Sequence, residues 1–252
     1  AVRREGLRSF VNWFGCVLGG CDNPGIQRAF DVLDRFSGPR EATFLGRPRR
    51  LDIFGAAFLN GMSNSVRGYN DTHLRTVAHP AAPVGAALLA MAERSRVAGR
   101  DLLHALILGI EVQCRAGNML VTPPARWHFG LSMVGVAGGI GAAVATAKLL
   151  GLDAERTNCA LGTAAGQAGG LRETQGTLAS HLLTGEAARA GLLAALLAAD
   201  GFTCSEEMLE GPKGFARVYA QDADPEVAVD GLGEHYETLS NTYKPYPCGI
   251  VV

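Results

Sequence analysis

Apolar residues recur at helical spacing along most of this 252-residue chain. This spacing, with capping aspartates, helix-starting prolines and helix-ending glycines, predicts a series of α-helices. They cover residues 8–18, 26–36, 51–60, 83–98, 102–116, 131–150, 153–166 and 186–199, with shorter helices at 206–209 and 214–219 and one short strand at 42–45. No strands alternate with helices at the spacing of a doubly wound sheet, so the predicted fold class is all-α.

The composition favours closely packed helices. Charged residues make up only 19% of the chain, and there are 33 glycines, which let helix backbones approach each other. Residues 129–147 carry no charge but include five glycines, a pattern that favours a buried helix over a membrane span. The Gly-Gly-Ile-Gly sequence at 138–141 lacks a preceding strand and a P-loop lysine, so it is interpreted as helix packing rather than a nucleotide loop.

The charge and the cysteines narrow the class of protein further. A net charge of -1 without a basic run argues against a nucleic-acid surface. The six cysteines show no CxxC pair or zinc spacing, so free thiols in a reducing cytoplasm are expected. The chain begins without a signal-peptide pattern or a methionine, which indicates a cytoplasmic protein and a processed or partial chain. An apolar fraction of 48% predicts a homodimer.

The polar segment at 69–80 is the first candidate site. It places Asp71, Thr72, His73 and His79 between two apolar helices. A polar loop held by a rigid scaffold is a common place for reactive groups. The alternative is a capping loop, in which these side chains only satisfy backbone donors. The spacing of Asp71, His73 and His79 fits no metal motif, so no metal and no other cofactor is expected.

Two histidines precede predicted helices in the same way. His79 lies just before the helix at 83–98, and His128 lies just before the helix that begins near 131. Helix N-termini favour anions, so two such ends that converge would form a pocket for a carboxylate-rich substrate. Each histidine could instead pack at a helix start and bond a carbonyl group. Lys244, held between a predicted turn and two prolines, is a candidate for an oriented ammonium group.

A series of short motifs then resembles, in order, the MmgE/PrpD family over essentially the whole chain. They are Asn60-Gly, Asn70-Asp-Thr-His, His79-Pro, Trp127-His, Gly151-Leu-Asp, Gly185-Glu-Ala-Ala, Gly201-Phe-Thr, Leu209-Glu-Gly and Lys244-Pro-Tyr-Pro-Cys-Gly. The resemblance implies a homodimeric enzyme whose N-terminal helical domain is residues 1–243. Residues 244–252 would begin the connection to a small α/β lid domain that is largely absent. The chain is therefore expected to be a C-terminally truncated piece that need not be active alone.

The resemblance also implies roles for particular residues. Thr72, His79, His128 and Lys244 match positions that line the site in the decarboxylase and dehydratase branches of the family. We expect His79 to be the general acid/base, His128 a second proton carrier or carboxylate ligand, and Lys244 a carboxylate clamp. Thr72 and Asp71 would orient these groups.

Three positions depart from the family pattern. Gly68 stands where an aspartate is usual, and Gly249 where the decarboxylase has a histidine. Ser180-His-Leu-Leu stands where Lys-Pro-Leu-His is usual. The departures disfavour cis-aconitate decarboxylase. The predicted function is a 2-methylcitrate dehydratase-like lyase that acts next to a carboxylate of a small di- or tricarboxylic acid. An iminodisuccinate epimerase-like isomerase and a non-catalytic helical dimerisation module are the alternatives.

Overall fold

The computed structural model describes residues 1–248, and its main elements are helices. The helices are α1 (Val2–Gly20), α2 (Pro24–Asp34), α3 (Ile53–Ser65), α4 (Ala81–Ser95), α5 (Gly99–Val121), α6 (Met133–Leu150), α7 (Ala154–Ala165), α8 (Ala179–Ala199) and α9 (Phe215–Tyr219). Three short 3-10 helices lie at Arg172–Thr174, Pro225–Ala228 and Glu237–Ser240. The all-α prediction is confirmed.

The strands are short and pair locally or across long loops. They are β1 (Ala42–Phe44), β2 (Arg49–Leu51), β3 (Thr72–His73), β4 (Arg126–Trp127), β5 (Ala220–Gln221) and β6 (Asn241–Thr242). The antiparallel pairs are β1 with β2, β3 with β6 and β4 with β5. The β3–β6 pair matters most, because it joins the polar loop to a segment about 170 residues later in the chain.

Capping side chains set several helix starts. Asp52 accepts hydrogen bonds from the backbone N–H groups of Phe54 and Gly55 at the start of α3, and Asp153 accepts one from Arg156 at the start of α7. Helix α6 ends at Gly151, which adopts the left-handed conformation with φ 71°. These local signals explain why most helices lie close to their predicted positions.

The core centres on α6, which packs against α4, α5, α7 and α8. Small residues make these contacts close: a Cβ atom on Gly141 would lie 2.6 Å from the carbonyl oxygen of Gly109 on α5. Trp13 of α1 is fully buried, and its indole N–H donates to the carbonyl oxygen of Ala82, which ties α1 to the first turn of α4. The polar loop that precedes α4 is therefore mounted on rigid, buried helices.

Within residues 1–248, two helices are long and apolar enough to cross a membrane by length and composition alone. They are α6 and α8, and 78% and 56% of their apolar windows are buried inside the structure. For α6 this burial agrees with its prediction as a core helix.

Two predicted helices differ most from the structure. Residues 206–209 form turns rather than a helix, because the carbonyl groups of Met208 and Leu209 accept hydrogen bonds from Phe215 and Ala216 instead of from a following helical turn. Helix α8 begins at Ala179, two turns before its predicted start at residue 186. The proposed domain boundary at residue 244 stays a prediction, and residues 249–252 lie outside the described part of the chain.

Candidate active site

The pairing of β3 with β6 brings Lys244 to the polar loop. Thr72 pairs with Thr242, whose hydroxyl group donates to the Thr72 carbonyl oxygen at 2.7 Å. Two residues further on, the Lys244 ammonium group donates to the Asn70 side-chain oxygen at 3.0 Å. Burial lowers the pKa of Lys244, while the charge of nearby Asp71 acts in the opposite direction. The predicted proximity of the loop and Lys244 is therefore present.

Asp71 is buried and holds the start of α4. Its Oδ2 atom accepts hydrogen bonds from the Ala81 backbone N–H at 3.1 Å and from the Asn241 side-chain amide at 2.6 Å. Burial raises the pKa of Asp71 to about 6, although the bonds from Asn241 and Ala81 and the charge of Lys244 favour the carboxylate. The capping interpretation of the loop thus describes Asp71 well. Because Asp71 occupies the first N–H of α4, this helix end is not open to a substrate anion.

His79 has a defined tautomer. Its Nδ1 atom lies 2.8 Å from the Asp71 carbonyl oxygen and 3.2 Å from the Thr72 hydroxyl oxygen. A carbonyl oxygen only accepts, so Nδ1 carries the proton and Nε2 carries the lone pair in the neutral ring. Burial, together with a smaller effect of the positive charge of Lys244, lowers the pKa of His79 to about 4. At neutral pH His79 is therefore an uncharged base.

His79 and Lys244 line one polar cavity of about 260 Å³ between α3, α6 and α8. Its other lining residues are Ser65, Gly68, Asn70, Ser132, Val134, Arg172, Thr174, Gln175, Ser180, His181, Leu183 and Thr184. Among the described residues, this lining holds two cations, two imidazoles and no carboxylate side chain. Such a cavity suits a small anion with several carboxylates.

The start of α6 contributes to the same cavity. Ser132 and Val134 line it, and the Ser132 side chain makes no capping hydrogen bond to the helix. The first N–H groups of a helix favour anions through their orientation and the helix dipole. Of the two predicted helix ends, α6 therefore faces the cavity and α4 is closed by Asp71.

His128 is exposed and lies in a neighbouring depression of about 610 Å³, contrary to the expectation that it faces the same cavity as His79. The Gly130 backbone N–H donates to its Nδ1 atom at 3.1 Å, and the ring stacks on Phe129 with centroids 5.2 Å apart. These local contacts turn the ring over its own loop. The two cavities share Arg172 in their walls, so His128 is a neighbour of the site. Its predicted role stays untested.

His73, the other histidine of the loop, has a structural position. Its ring is buried, with Nε2 at 2.7 Å from a Glu237 carboxylate oxygen and Nδ1 at 2.9 Å from the Thr76 hydroxyl oxygen. The hydrogen bond from His73 lowers the pKa of Glu237. The pair ties the loop to the 3-10 helix at Glu237–Ser240. In the described part of the chain, no group of three or more histidine, cysteine, aspartate or glutamate side chains is arranged to hold a metal.

His181 and Arg172 are cavity residues that sequence reasoning missed. The Nδ1 atom of His181 lies 2.8 Å from the Ser65 hydroxyl oxygen, and burial lowers the pKa of the ring. This placement depends on the close approach of α8 to α3 at Gly185, one turn later on α8. A Cβ atom there would lie 2.6 Å from the Phe58 carbonyl oxygen, which marks close contact between α3 and α8. His181 then falls beside Ser65 at the end of α3.

The fold and the cavity define an all-helical domain with a polar pocket lined by two cationic side chains. The chain belongs to the MmgE/PrpD family, because the model of the MmgE/PrpD N-terminal domain matches residues 1–228.

Comparison with curated proteins gives relatives that are named as cis-aconitate decarboxylases or as similar to them. The cis-aconitate decarboxylase-like protein oryM of Aspergillus oryzae is 31% identical over 98% of this chain and 54% of its own length. The cis-aconitate decarboxylase of Aspergillus terreus is 30% identical over 96% of this chain and 52% of its own length. The human cis-aconitate decarboxylase is 34% identical over 87% of this chain and 46% of its own length. The chain thus spans about half the length of these relatives.

Proposed function

We propose that this domain belongs to a lyase that transfers a proton at the carbon next to a carboxylate of a small di- or tricarboxylic acid. The observation that carries the proposal is the neutral His79 imidazole, with its Nε2 lone pair available, in a cavity that also holds Lys244 and Arg172. A base beside cations is the arrangement that removes a proton next to a carboxylate and stabilises the charge that develops.

In the proposed dehydration, Lys244 pairs with a substrate carboxylate and fixes its position. The Nε2 atom of His79 takes the proton from the adjacent carbon. The electron pair of that C–H bond forms a carbon–carbon double bond, and the C–O bond on the next carbon breaks. The departing hydroxyl group takes up a proton and leaves as water. Asp71 and Thr72 hold the His79 ring in the tautomer that this step requires, through the Asp71 carbonyl oxygen and the Thr72 hydroxyl group.

Decarboxylation is the second candidate, and the names of the relatives favour it. In that reaction a C–CO₂ bond breaks, and the electron pair left behind must be protonated, so His79 would have to enter the step as the acid. The departures at Gly68, Ser180 and Gly249 argue against the decarboxylase and leave the dehydratase as our first choice. Epimerisation, in which the carbon is re-protonated, uses the same base.

The rival of another class is a non-catalytic helical dimerisation module. A module of this kind predicts apolar surroundings or wide separation for His79 and His128. The polar lining around His79 supports an enzyme, whereas His128, which lies in the neighbouring depression, does not meet the enzyme expectation that both rings face one cavity. Turnover is the measurement that separates the two classes.

The test uses the longest natural chain that contains this sequence. It is incubated with 2-methylcitrate, cis-aconitate and iminodisuccinate in deuterium oxide, and proton NMR follows loss of water, loss of CO₂ and deuterium uptake. His79→Gln keeps the size and hydrogen bonding of the side chain but removes proton transfer. We expect turnover to fall by roughly a hundred- to ten-thousand-fold while substrate binding persists. Unchanged turnover would show that His79 is not the proton carrier.

A further inference from the structure

His181 shares the cavity with His79, and its surroundings constrain it in the same way. It lies in the first turn of α8, and its Nδ1 atom is 2.8 Å from the Ser65 hydroxyl oxygen at the end of α3. The same Ser65 hydroxyl lies 2.8 Å from the Met62 carbonyl oxygen. The ring is therefore held by a side chain that is itself fixed to the backbone of α3.

These two hydrogen bonds assign the tautomer of His181. A hydroxyl group has one proton to donate, and the Met62 carbonyl oxygen can only accept. Both bonds form together only when Ser65 donates to Met62 and accepts from the Nδ1–H of His181. The remaining ring nitrogen, Nε2, then carries the lone pair in the neutral ring. His79 has the same arrangement, with Nδ1 committed to the Asp71 carbonyl oxygen.

We infer that His181 is the second proton carrier of the site, an inference that rests on the proposed function. The charged and titratable side chains that line the cavity with it are His79, Arg172 and Lys244. A di- or tricarboxylate bound between these groups adds negative charge beside the ring, which favours the imidazolium form. His181 thus takes a proton from solvent when the substrate binds. His79 remains the base because burial and the adjacent charge of Lys244 lower its pKa to about 4, which keeps its ring neutral.

The proton balance of dehydration then closes within the cavity. The C–H bond breaks as His79 Nε2 takes the proton, and the electron pair forms the double bond as the C–O bond breaks. The Nε2–H of protonated His181 donates its proton to the departing hydroxyl group, which leaves as water. His128 fits this step less well, because its Nδ1 accepts the Gly130 N–H and its ring lies in the neighbouring depression.

The first experiment tests contact with an anion and does not depend on turnover. The probe is tricarballylate, a tricarboxylate without a leaving group, and the readout is the NMR titration of the histidine Cε1 protons. We expect tricarballylate to raise the pKa of both His79 and His181 by about 1 or more. The exposed His104 of α5 serves as the control and should keep its titration. An unchanged His181 titration while His79 responds would overturn the inference.

The second experiment tests proton delivery in the longest natural chain, with the substrate that the NMR screen identifies. His181→Gln should lower turnover by roughly a hundred- to ten-thousand-fold. It should also abolish the loss of kcat at alkaline pH that comes from deprotonation of the acid. Ser65→Ala removes only the hydrogen-bond partner of the His181 ring. It should lower turnover less and should shift the pH at which kcat falls on the alkaline side. His104→Gln, at the exposed histidine of α5, is the matched control and should leave the pH profile of kcat unchanged at both its acidic and its alkaline side.

The outcomes separate the two proposals. Full turnover in His181→Gln, or a low turnover with an unaltered pH profile in a chain whose circular dichroism is native, would overturn the role of His181 alone. Loss of activity in His79→Gln would in that case still support the proposed function. Activity in His79→Gln, or no turnover of any of the three acids, would count against the proposed function. The tricarballylate titration would in that case still decide whether His181 contacts a bound acid.

Discussion

Asp71, which is buried, and the adjacent, half-buried His79 are groups whose protonation should change the stability of this chain in opposite directions. Burial raises the pKa of Asp71 from 3.8 to about 6, so the folded chain keeps a proton there that the unfolded chain has released. Stability should therefore fall as pH rises through this range. Burial lowers the pKa of His79 from 6.5 to about 4, so the unfolded chain binds a proton that the folded chain does not. This contribution rises with pH and is lost as pH falls toward 4.

The two contributions are similar in size. A pKa change of this magnitude at Asp71 corresponds to about 3 kcal/mol in the free energy of unfolding. For His79, whose ring is open to the cavity on one side, about 3 kcal/mol is an upper value. Between pH 4 and 6.5 the contributions oppose each other in the unmodified chain. Removing one group should expose the slope of the other.

The assay is urea unfolding of this chain at several pH values, followed by circular dichroism. Asp71→Asn keeps an oxygen that accepts from Ala81 and Asn241, and its stability relative to the unmodified chain should rise by roughly 3 kcal/mol between pH 4 and 6.5. The stability of His79→Gln relative to the unmodified chain should fall by a similar or smaller amount over the same pH range. Asp200→Asn at the exposed end of α8 controls for the loss of a surface carboxylate. Curves parallel to that of the unmodified chain would refute the reasoning.

Three further predictions concern binding, packing and assembly. In the longest natural chain, Lys244→Met should raise KM about ten- to hundredfold with a smaller effect on kcat, because it removes a charge-assisted bond to carboxylate; an unchanged KM would contradict the clamp role. Gly141→Ala should lower the free energy of unfolding by about 1–3 kcal/mol, because its Cβ atom would overpack α6 against Gly109 of α5. In Gly139→Ala the Cβ atom would lie 3.5 Å from the nearest atom, so this control should not destabilise the chain. Equal shifts of the melting temperature in the two variants would contradict this. Light scattering at micromolar concentration should give a homodimer rather than a monomer, since apolar side chains are exposed along one face of α1 at Leu7, Val11, Phe14 and Leu18.

The helical fold was predictable because apolar spacing and capping residues are local signals. The start of α8 was not, for a reason that lies in the site. Ser180, His181 and Thr184 line the cavity, so polar residues interrupt the apolar pattern in the first two turns of the helix. The helix prediction for residues 206–209 failed for a different reason. Their carbonyl groups bond the start of α9, a contact that helix propensity does not record.

The candidate site was predictable only in part. The loop at 69–80 carries its chemistry within a short stretch of sequence, and its position before a buried helix was correct. Its partner Lys244 depends on the pairing of Thr72 with Thr242, which no local pattern gives; the family resemblance supplied it. The position of His128 depends on how a loop turns. Contacts of Ser132 with Gly170 and of Leu131 with Leu171 fix that loop, and they lie beyond the reach of periodicity.

The departures from the family pattern acquire a physical meaning in the cavity. Gly68 adopts a left-handed conformation with φ 71°, which disfavours the usual aspartate at that position, and its absence leaves the described lining without a carboxylate side chain. Ser180 replaces the usual lysine, but Arg172 lies in the same cavity with Lys244 and maintains two positive charges. A cavity with two cations and no internal carboxylate should select acids by their number of negative charges. The imidazoles of this lining are His79 and His181, so the assignment of His181 bears directly on the choice among dehydration, decarboxylation and epimerisation.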